Sequence, residues 1–426
     1  FDLTLEMPLD APPDDARLQQ PLAVSEPSTE APVADSTTTP ITLQWNSETM
    51  PLALFEPLLG RYVSGTRLDG RVTAKVDLVL GSGPAAKYRA TGKILARDFY
   101  FTTPALGSDQ VRMANVKLEC DATTQDTELI ISRSSVECDL GNMAIAGKVD
   151  LAEQSLADMP GVLAAQPWQL EGVVDLAQVA AMLPDTLGLR ADTQVTSGQA
   201  RFSMESRRGE DGMTWQGQLA SDALKAVSGG RQVSWDQPVV IHFVANETKD
   251  GPPAGELRCQ SEFLKLHAAG TTSQFAADAS FHLDRLMEQL EQFIDLGSLD
   301  LSGEGWSHLA WQRTPEGSFE ADLELHVQGL HVALPDRPPW AEPELVVFAK
   351  SSGSTDFDRD TRVDSASIQV AAGGERLDAR LLRPVLELRE GGAWPIGVEM
   401  QGDLANWPPR MAMAWDLGDY AMAGRY

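Results

Sequence analysis

From Phe319 to Gln328 the chain alternates without a break. Phe319, Ala321, Leu323, Leu325 and Val327 are apolar, and Glu320, Asp322, Glu324, His326 and Gln328 are polar. A period of two gives an extended strand one apolar face and one wet face, and a helix cannot use it. The same alternation runs through Val72, Ala74, Val76, Leu78 and Leu80, and through Ala114, Val116 and Leu118. It returns at Ala200, Phe202 and Met204, and at Val239, Ile241, Phe243 and Ala245. Gly- and Asp-rich links such as Gly81-Ser82-Gly83 and Arg208-Gly209-Glu210-Asp211-Gly212 predict antiparallel hairpins. Helical periodicity is brief. Leu283, Leu286, Met287, Leu290, Phe293 and Ile294 predict an amphipathic helix over 284–295 with Asp284 capping its first turn. Leu176, Val179, Ala180 and Leu183 predict a shorter one, capped by Asp175 and ended before Pro184. About forty helical residues cannot cover the apolar faces of about two dozen strands. The strands must face one another as a sandwich, or one strongly curved sheet must fold its apolar face inward.

The helix-like stretches recur. One pattern of strand, short apolar segment and returning strand reads Met50-Pro51-Leu52-Ala53-Leu54-Phe55, Val174-Asp175-Leu176-Ala177, Leu283-Asp284-Arg285-Leu286 and Gly402-Asp403-Leu404-Ala405. Such self-similarity means one module used repeatedly. The expected division is a strand end and Pro-rich disordered linker over 1–40, β modules over 41–158, 159–281 and 282–398, and the start of a fourth over 399–426. The linker carries Pro12, Pro13, Pro21, Pro27, Pro32 and Pro40 among Ser, Thr, Asp and Glu, and buries too little apolar surface to order itself. The chain begins at Phe1 and stops inside the fourth copy, so it reads as a piece of a longer protein.

The 62 acidic residues against 34 basic ones give a net charge of −28. That excludes a phosphate-binding surface for nucleic acid and disfavours electrostatic docking on anionic headgroups. No run of eighteen apolar residues is present to span a membrane as a helix. Cys120, Cys138 and Cys259 make no CxxC and join no Cys/His cluster, so no zinc site is indicated. A turn near Thr123–Asp126 would place Cys120 opposite position 128 or 129, leaving a disulfide to Cys138 possible only across the sheet. The Asp356-x-Asp358-x-Asp360 run has Thr361 where a calcium loop needs glycine, and reads as a solvated turn. His326 and His331 are an odd number apart and face opposite sides of a straight strand, so they make no metal pair. Asn246-Glu247-Thr248 matches a glycosylation sequon, which matters only in a eukaryotic secretory setting. No phosphate loop and no nucleophile elbow occurs, and no metal or cofactor is expected.

Gly172-Val173-Val174-Asp175-Leu176 and Gln401-Gly402-Asp403-Leu404 each precede a short helical stretch. Glycine-marked return strands follow the helical stretches at Leu68-Asp69-Gly70, Thr196-Ser197-Gly198 and Leu301-Ser302-Gly303. With the closing segment Ala146-Gly147-Lys148-Val149-Asp150-Leu151, this layout resembles the AsmA-like proteins and their relative TamB over most of residues 41–426. The resemblance implies an all-β fold, an elongated, strongly twisted antiparallel β-groove of tandem modules with a few short amphipathic helices. It also implies a non-enzymatic bacterial envelope protein in the periplasm. Its parent would be anchored in the inner membrane through a segment outside this piece, and would act in phospholipid transport or outer-membrane maintenance. The partner would be a phospholipid or another acyl-chain lipid.

An apolar groove needs no acid, base or nucleophile. The expected lining is Val72, Val76, Leu78, Val116, Leu118, Phe202, Met204, Ile241, Phe243, Leu323 and Leu325, positions that would serve equally as protein core. Two other classes fit the composition. One is a surface or adhesive array of β-sandwich binding domains; separately, the ten Trp, among them Trp306, Trp311, Trp394, Trp407 and Trp415, could be sugar-stacking platforms, though aromatics on strands more often fill a core or sit at an apolar–polar boundary. The other is a carbohydrate-active enzyme with its carboxylates among the 62 acids.

Overall fold

The computed structural model describes residues 2–6, 41–61, 63–80, 88–125, 128–150, 166–210, 212–249, 251–297, 299–335, 337, 339–356, 360–386, 394–407 and 410. The Pro-rich stretch 11–39, the Gly81–Gly83 link, Asp358 and residues 411–426 lie outside these residues. The fold is all-β and antiparallel, as the alternation predicts, with 70 % of the described residues in strands. Two compact units divide the chain. One holds 1–101, 112–138 and 144–164, and the other 102–111, 139–143 and 165–426.

The first seven strands are β1 (Asp2–Glu6), β2 (Ile41–Pro51), β3 (Arg67–Leu80), β4 (Tyr88–Thr102), β5 (Val111–Gln125), β6 (Glu128–Cys138) and β7 (Gly141–Asp150). In the first unit β2 pairs with both β1 and β3, and β5 pairs with β6. A 3-10 turn, Leu52–Phe55, leads into the four-residue α1 (Glu56–Leu59). It folds Leu52 into a cluster with Met50, Leu68, Val72 and Ala96, edged by Trp45, Phe99, Phe101 and Val116. The β5–β6 turn lies further along than the sequence predicts. Gln125 pairs with Glu128, and a bulge separates Asp121 from Ala122. Cys120 therefore faces Ser134, whose hydroxyl donates to the thiol over 3.1 Å, and Cys138 faces Val116. Both thiols are free.

The second unit continues with β8 (Trp168–Asp175), β9 (Thr193–Ser197), β10 (Gln199–Arg208), β11 (Met213–Ser221), β12 (Leu224–Ser228), β13 (Arg231–Trp235), β14 (Val240–Thr248) and β15 (Gly251–Gln260). Then come β16 (Leu264–Thr271), β17 (Gln274–His282), β18 (Asp300–Arg313), β19 (Ser318–Ala333), β20 (Trp340–Asp356), β21 (Asp360–Ala372), β22 (Glu375–Leu381) and β23 (Ile396–Gln401). Thirteen of these pair in one antiparallel series: β8-β10-β11-β14-β15-β16-β17-β18-β19-β20-β21-β22-β23. No ladder joins β8 to β23 among the described residues, so the series does not close on itself. The ladder runs unbroken through positions 281–282. The remaining three strands form a small sheet, β13-β12-β9.

Strand direction alternates along the series, which sorts its connections onto two rims. The helical segments α2 (Leu176–Met182), α3 (Leu283–Leu290) and Leu404–Asn406 follow β8, β17 and β23 and leave from the same rim. The small sheet is inserted there too, after β8 and β11. The opposite rim carries the direct hairpin links such as β10–β11 and β14–β15. The packed interior of this unit concentrates on the helical rim. Ala180, Val195, Ala226 and Phe293 form one cluster there, and Val327, Leu330, Leu345 and Ala372 another.

Local chemistry explains the helical segments. Asp175 caps α2 as predicted, its Oδ1 accepting from the N–H groups of Ala177 (2.9 Å) and Gln178 (3.1 Å). Asp403 repeats the contact with Ala405 N–H at 2.9 Å. Asp284 does not cap α3. Position 282 is the cap, and Asp284 Oδ2 instead accepts from Gly303 N–H at 3.0 Å, tying the helix to the returning strand. Gly303 sits at φ +124° in a bulge of β18, where a side chain would be strained and would meet the backbone of β19. The helix also ends five residues earlier than its periodicity predicts. Phe293 C=O accepts from Arg190 N–H, and Ile294 bridges to Leu189, so tertiary pairing overrides the helical pattern.

Candidate functional site

Cross-strand register shows what the thirteen-strand series presents. One directly opposed row reads Leu170, Met204, Gly217, Phe243, Leu257, Ala268, Ala277, Leu309, Leu323, Ala349, Ile368, Ala379 and Val398. The next row on the same face reads Gly172, Phe202, Leu219, Ile241, Cys259, Leu266, Ala279, Ser307, Leu325, Val347, Val370, Leu377 and Met400. Ser307 is the one hydroxyl in the two rows, and neither contains a charge. The row between them on the opposite face reads Glu171, Ser203, Gln218, His242, Arg258, His267, Asp278, His308, Glu324, Phe348, Gln369, Asp378 and Glu399. Phe348 alone interrupts the polarity of this row.

The apolar rows are not a sealed core. Leu219, Leu257, Leu323 and Ile368 keep 36–41 % of their surface, and Val398 keeps 57 %. No large side chain of the described residues is completely buried. At about 4.8 Å per strand the rows cross roughly 58 Å of sheet. The apolar hollow around Leu323 measures about 320 Å³, and Leu309, Ala349, Ile368, Ala379, Leu381, Ile396 and Trp394 line it.

A repeated device keeps this face low. Phe202 lies opposite Gly172, Phe243 opposite Gly217, Phe281 opposite Gly305, and Phe319 opposite Gly353. A methyl on Gly172 would lie 2.5 Å from the Phe202 ring, and one on Gly305 2.9 Å from that of Phe281. Each ring therefore lies flat over its neighbour's bare backbone instead of standing up from the sheet. The packing covers otherwise bare glycine backbone, and Phe319 is in turn covered by Trp311, whose ring stacks on it at 5.0 Å.

The lining residues expected from sequence fall into three groups. Phe202, Ile241 and Leu325 share one row, and Met204, Phe243 and Leu323 share the adjacent one. Val72, Val76, Leu78, Val116 and Leu118 belong to the first unit. There Val72 is buried in the packed cluster and Val116 packs against it. Val76 and Leu78 face Trp45 and Leu43, and Leu118 faces Val136 while remaining 37 % exposed. Sequence reasoning passed over Leu257, Leu309, Ile368, Val347, Val370, Leu377, Trp394 and Ile396. Most of these alternate with polar neighbours, so period two could have found them. Trp394 precedes β23, and only the register of the hollow reveals it.

Charges sit on the other face, and several of them are paired. Glu256 is held below the ordinary glutamate range by its hydrogen bond from Arg258, then by that from His267. Lys350 is held above its ordinary range by Asp322, 2.8 Å away. Such exposed pairs add little stability, but they keep isolated charges off the sheet surface. Among the described residues no three His, Cys, Asp or Glu side chains group as a metal site, and no helix is long and apolar enough to cross a membrane.

The second unit also holds a buried ion network. Arg410 pairs bidentately with Glu342, donating to Oε2 at 3.0 Å, and donates to Glu375 Oε2 at 3.0 Å and to Ala372 C=O at 3.2 Å. Trp340 Nε1 donates to Glu342 at 2.8 Å, and the Arg410 guanidinium lies over Trp407. This network pins the chain after β23 onto β20 and β22 at the helical rim.

No family model, no curated protein and no solved structure matches this chain.

Proposed function

We propose that this chain is a lipid-binding segment of an AsmA- or TamB-like envelope protein, and that acyl chains lie along the paired apolar rows of its second unit. The protein acts in the periplasm, in phospholipid transport between membranes or in outer-membrane maintenance. Its parent is anchored in the inner membrane. The observation that carries this reading is two consecutive uncharged rows across thirteen strands whose large side chains stay partly open to solvent. A soluble surface rarely leaves so large a contiguous apolar patch without a partner.

The energetics suit a carrier. An acyl chain of about 15 methylenes gains ~12 kcal/mol when fully buried, at ~0.8 kcal/mol each. An open face covers about half of that chain, so the gain is ~6 kcal/mol. Such a lipid is held against water yet can return to a bilayer, which buries it completely. One leaflet is about 15 Å deep, so a row of roughly 58 Å accommodates several chains in succession. The acidic wet face needs no part in binding, and no bond is made or broken.

The test is site-specific photocrosslinking in cells. A photoreactive phenylalanine analogue at Leu323 captures phospholipid, and the same group at Gln369 on the opposite face does not. Equal capture at both positions, or none at Leu323, would sink the proposal.

A further inference from the structure

The wet face carries a feature that lipid binding does not use. Trp306 and His326 are directly opposed across β18 and β19, and their rings stack 4.2 Å apart at 13°. Phe348 meets His326 edge-on at 5.9 Å. Trp306 is nevertheless 43 % exposed. On its other side its cross-strand neighbour is the small Ser280, and beyond that Lys265. The space above Ser280 is a hollow of about 510 Å³ bordered by Trp306, Lys265, Arg258, His267 and Asp278. That volume is within the range of small-molecule clefts.

The chemistry of the rim is mixed. Asp278 accepts, and His308 holds it at 2.7 Å. Arg258 donates and is already neutralised by Glu256. Ser280 does both. Hydroxyl groups, which donate and accept at once, match such a rim better than a charged ligand does. The chain's net charge of −28 further opposes an anion. A pyranose ring also has a face of C–H bonds with partial positive charge, which is drawn to the negative face of an indole.

We propose that this hollow is a subsite for a neutral hexopyranose, which stacks on the Trp306 face that His326 leaves open, with its hydroxyls bonded to Asp278, Arg258, Lys265 and Ser280. The site is on the face opposite the apolar rows and is independent of the lipid reading.

An array of neutral and acidic oligosaccharides probed with the purified chain, followed by calorimetric titration of the strongest neutral hit, tests it. Ser280→Phe fills the hollow and covers the open indole face while leaving the Trp306–His326 stack in place. The expected result is binding to neutral hexose glycans, weakened about tenfold or more by both Trp306→Ala and Ser280→Phe, with the melting temperature of Ser280→Phe held. Trp306→Ala alone does not decide the matter, because losing the ring stack also loosens β18 and β19. Absence of any neutral glycan on the array, a preference for acidic ones, or unchanged affinity in Ser280→Phe overturns the proposal.

Discussion

Replacing Gly217 by alanine tests how the apolar face is built. In an ordinary strand this change stabilises by about 0.5–1 kcal/mol, because alanine has less freedom to lose on folding. Here the three heavy atoms nearest to a new methyl all belong to the Phe243 ring, and the nearest two are closer than real contacts allow. Carbon atoms settle about 3.5–4.0 Å apart, so the ring must move by more than about 1 Å. The ring must therefore leave its place over the Gly217 backbone. Overpacking of this kind costs ~1–3 kcal/mol. The sign of the effect therefore reverses relative to a bare strand. A double-mutant cycle with Phe243→Ala isolates the cause: with the ring gone, Gly217→Ala is neutral or stabilising. The expected coupling is about 2 kcal/mol, read from urea unfolding followed by circular dichroism. A stabilising Gly217→Ala in the wild-type background, or a coupling near zero, would refute the flat-ring reasoning.

Three further outcomes follow from other parts of the second unit. Leu323→Asp puts a charge in the middle of the apolar row but on a partly open site, so circular dichroism should keep its strand signal while phospholipid capture falls about tenfold or more, the equivalent of losing one buried leucine contact. Arg410→Ala strips the counter-charge from buried Glu342 and Glu375 and should destabilise the Leu404–Asn406 segment by ~3–5 kcal/mol, measured by hydrogen exchange there. Glu375 is held below its ordinary range, first by the Asn406 amide and then by Arg410. A carboxyl whose folded pKa is depressed gives stability that is complete above the unfolded value and is lost as pH falls through the folded one. Glu375→Gln should therefore flatten the acid side of the stability profile below the usual glutamate pKa of about 4.3, and superimposable profiles would contradict it.

How much of this was legible in the sequence differs by element. Strand content and the two faces of β19 could be read directly, because period two fixes which side chains share a face. The cap at Asp175 was equally readable, since its partners are two and three residues away. Register was not. It depends on which strands meet and where turns fall, so the Phe–Gly pairs could not be seen before the ladders were known. The same dependence misplaced Cys120, where a bulge and a later turn brought Ser134 opposite. The early end of α3 and the tether from Asp284 to Gly303 are set by contacts made at the end of the helix and with the returning strand. The buried ion network joins residues 342, 375 and 410, too far apart in sequence for any local signal. The openness of the apolar rows was the least legible feature, because alternating leucines look the same whether they meet lipid or each other.

That openness is what the account depends on, and native mass spectrometry of the chain purified from bacterial membranes under gentle conditions tests it most directly. The account predicts copurifying phospholipid in wild-type protein and little or none in Leu323→Asp at equal strand content. Wild-type protein that is free of lipid, or lipid retained unchanged in Leu323→Asp, would contradict it.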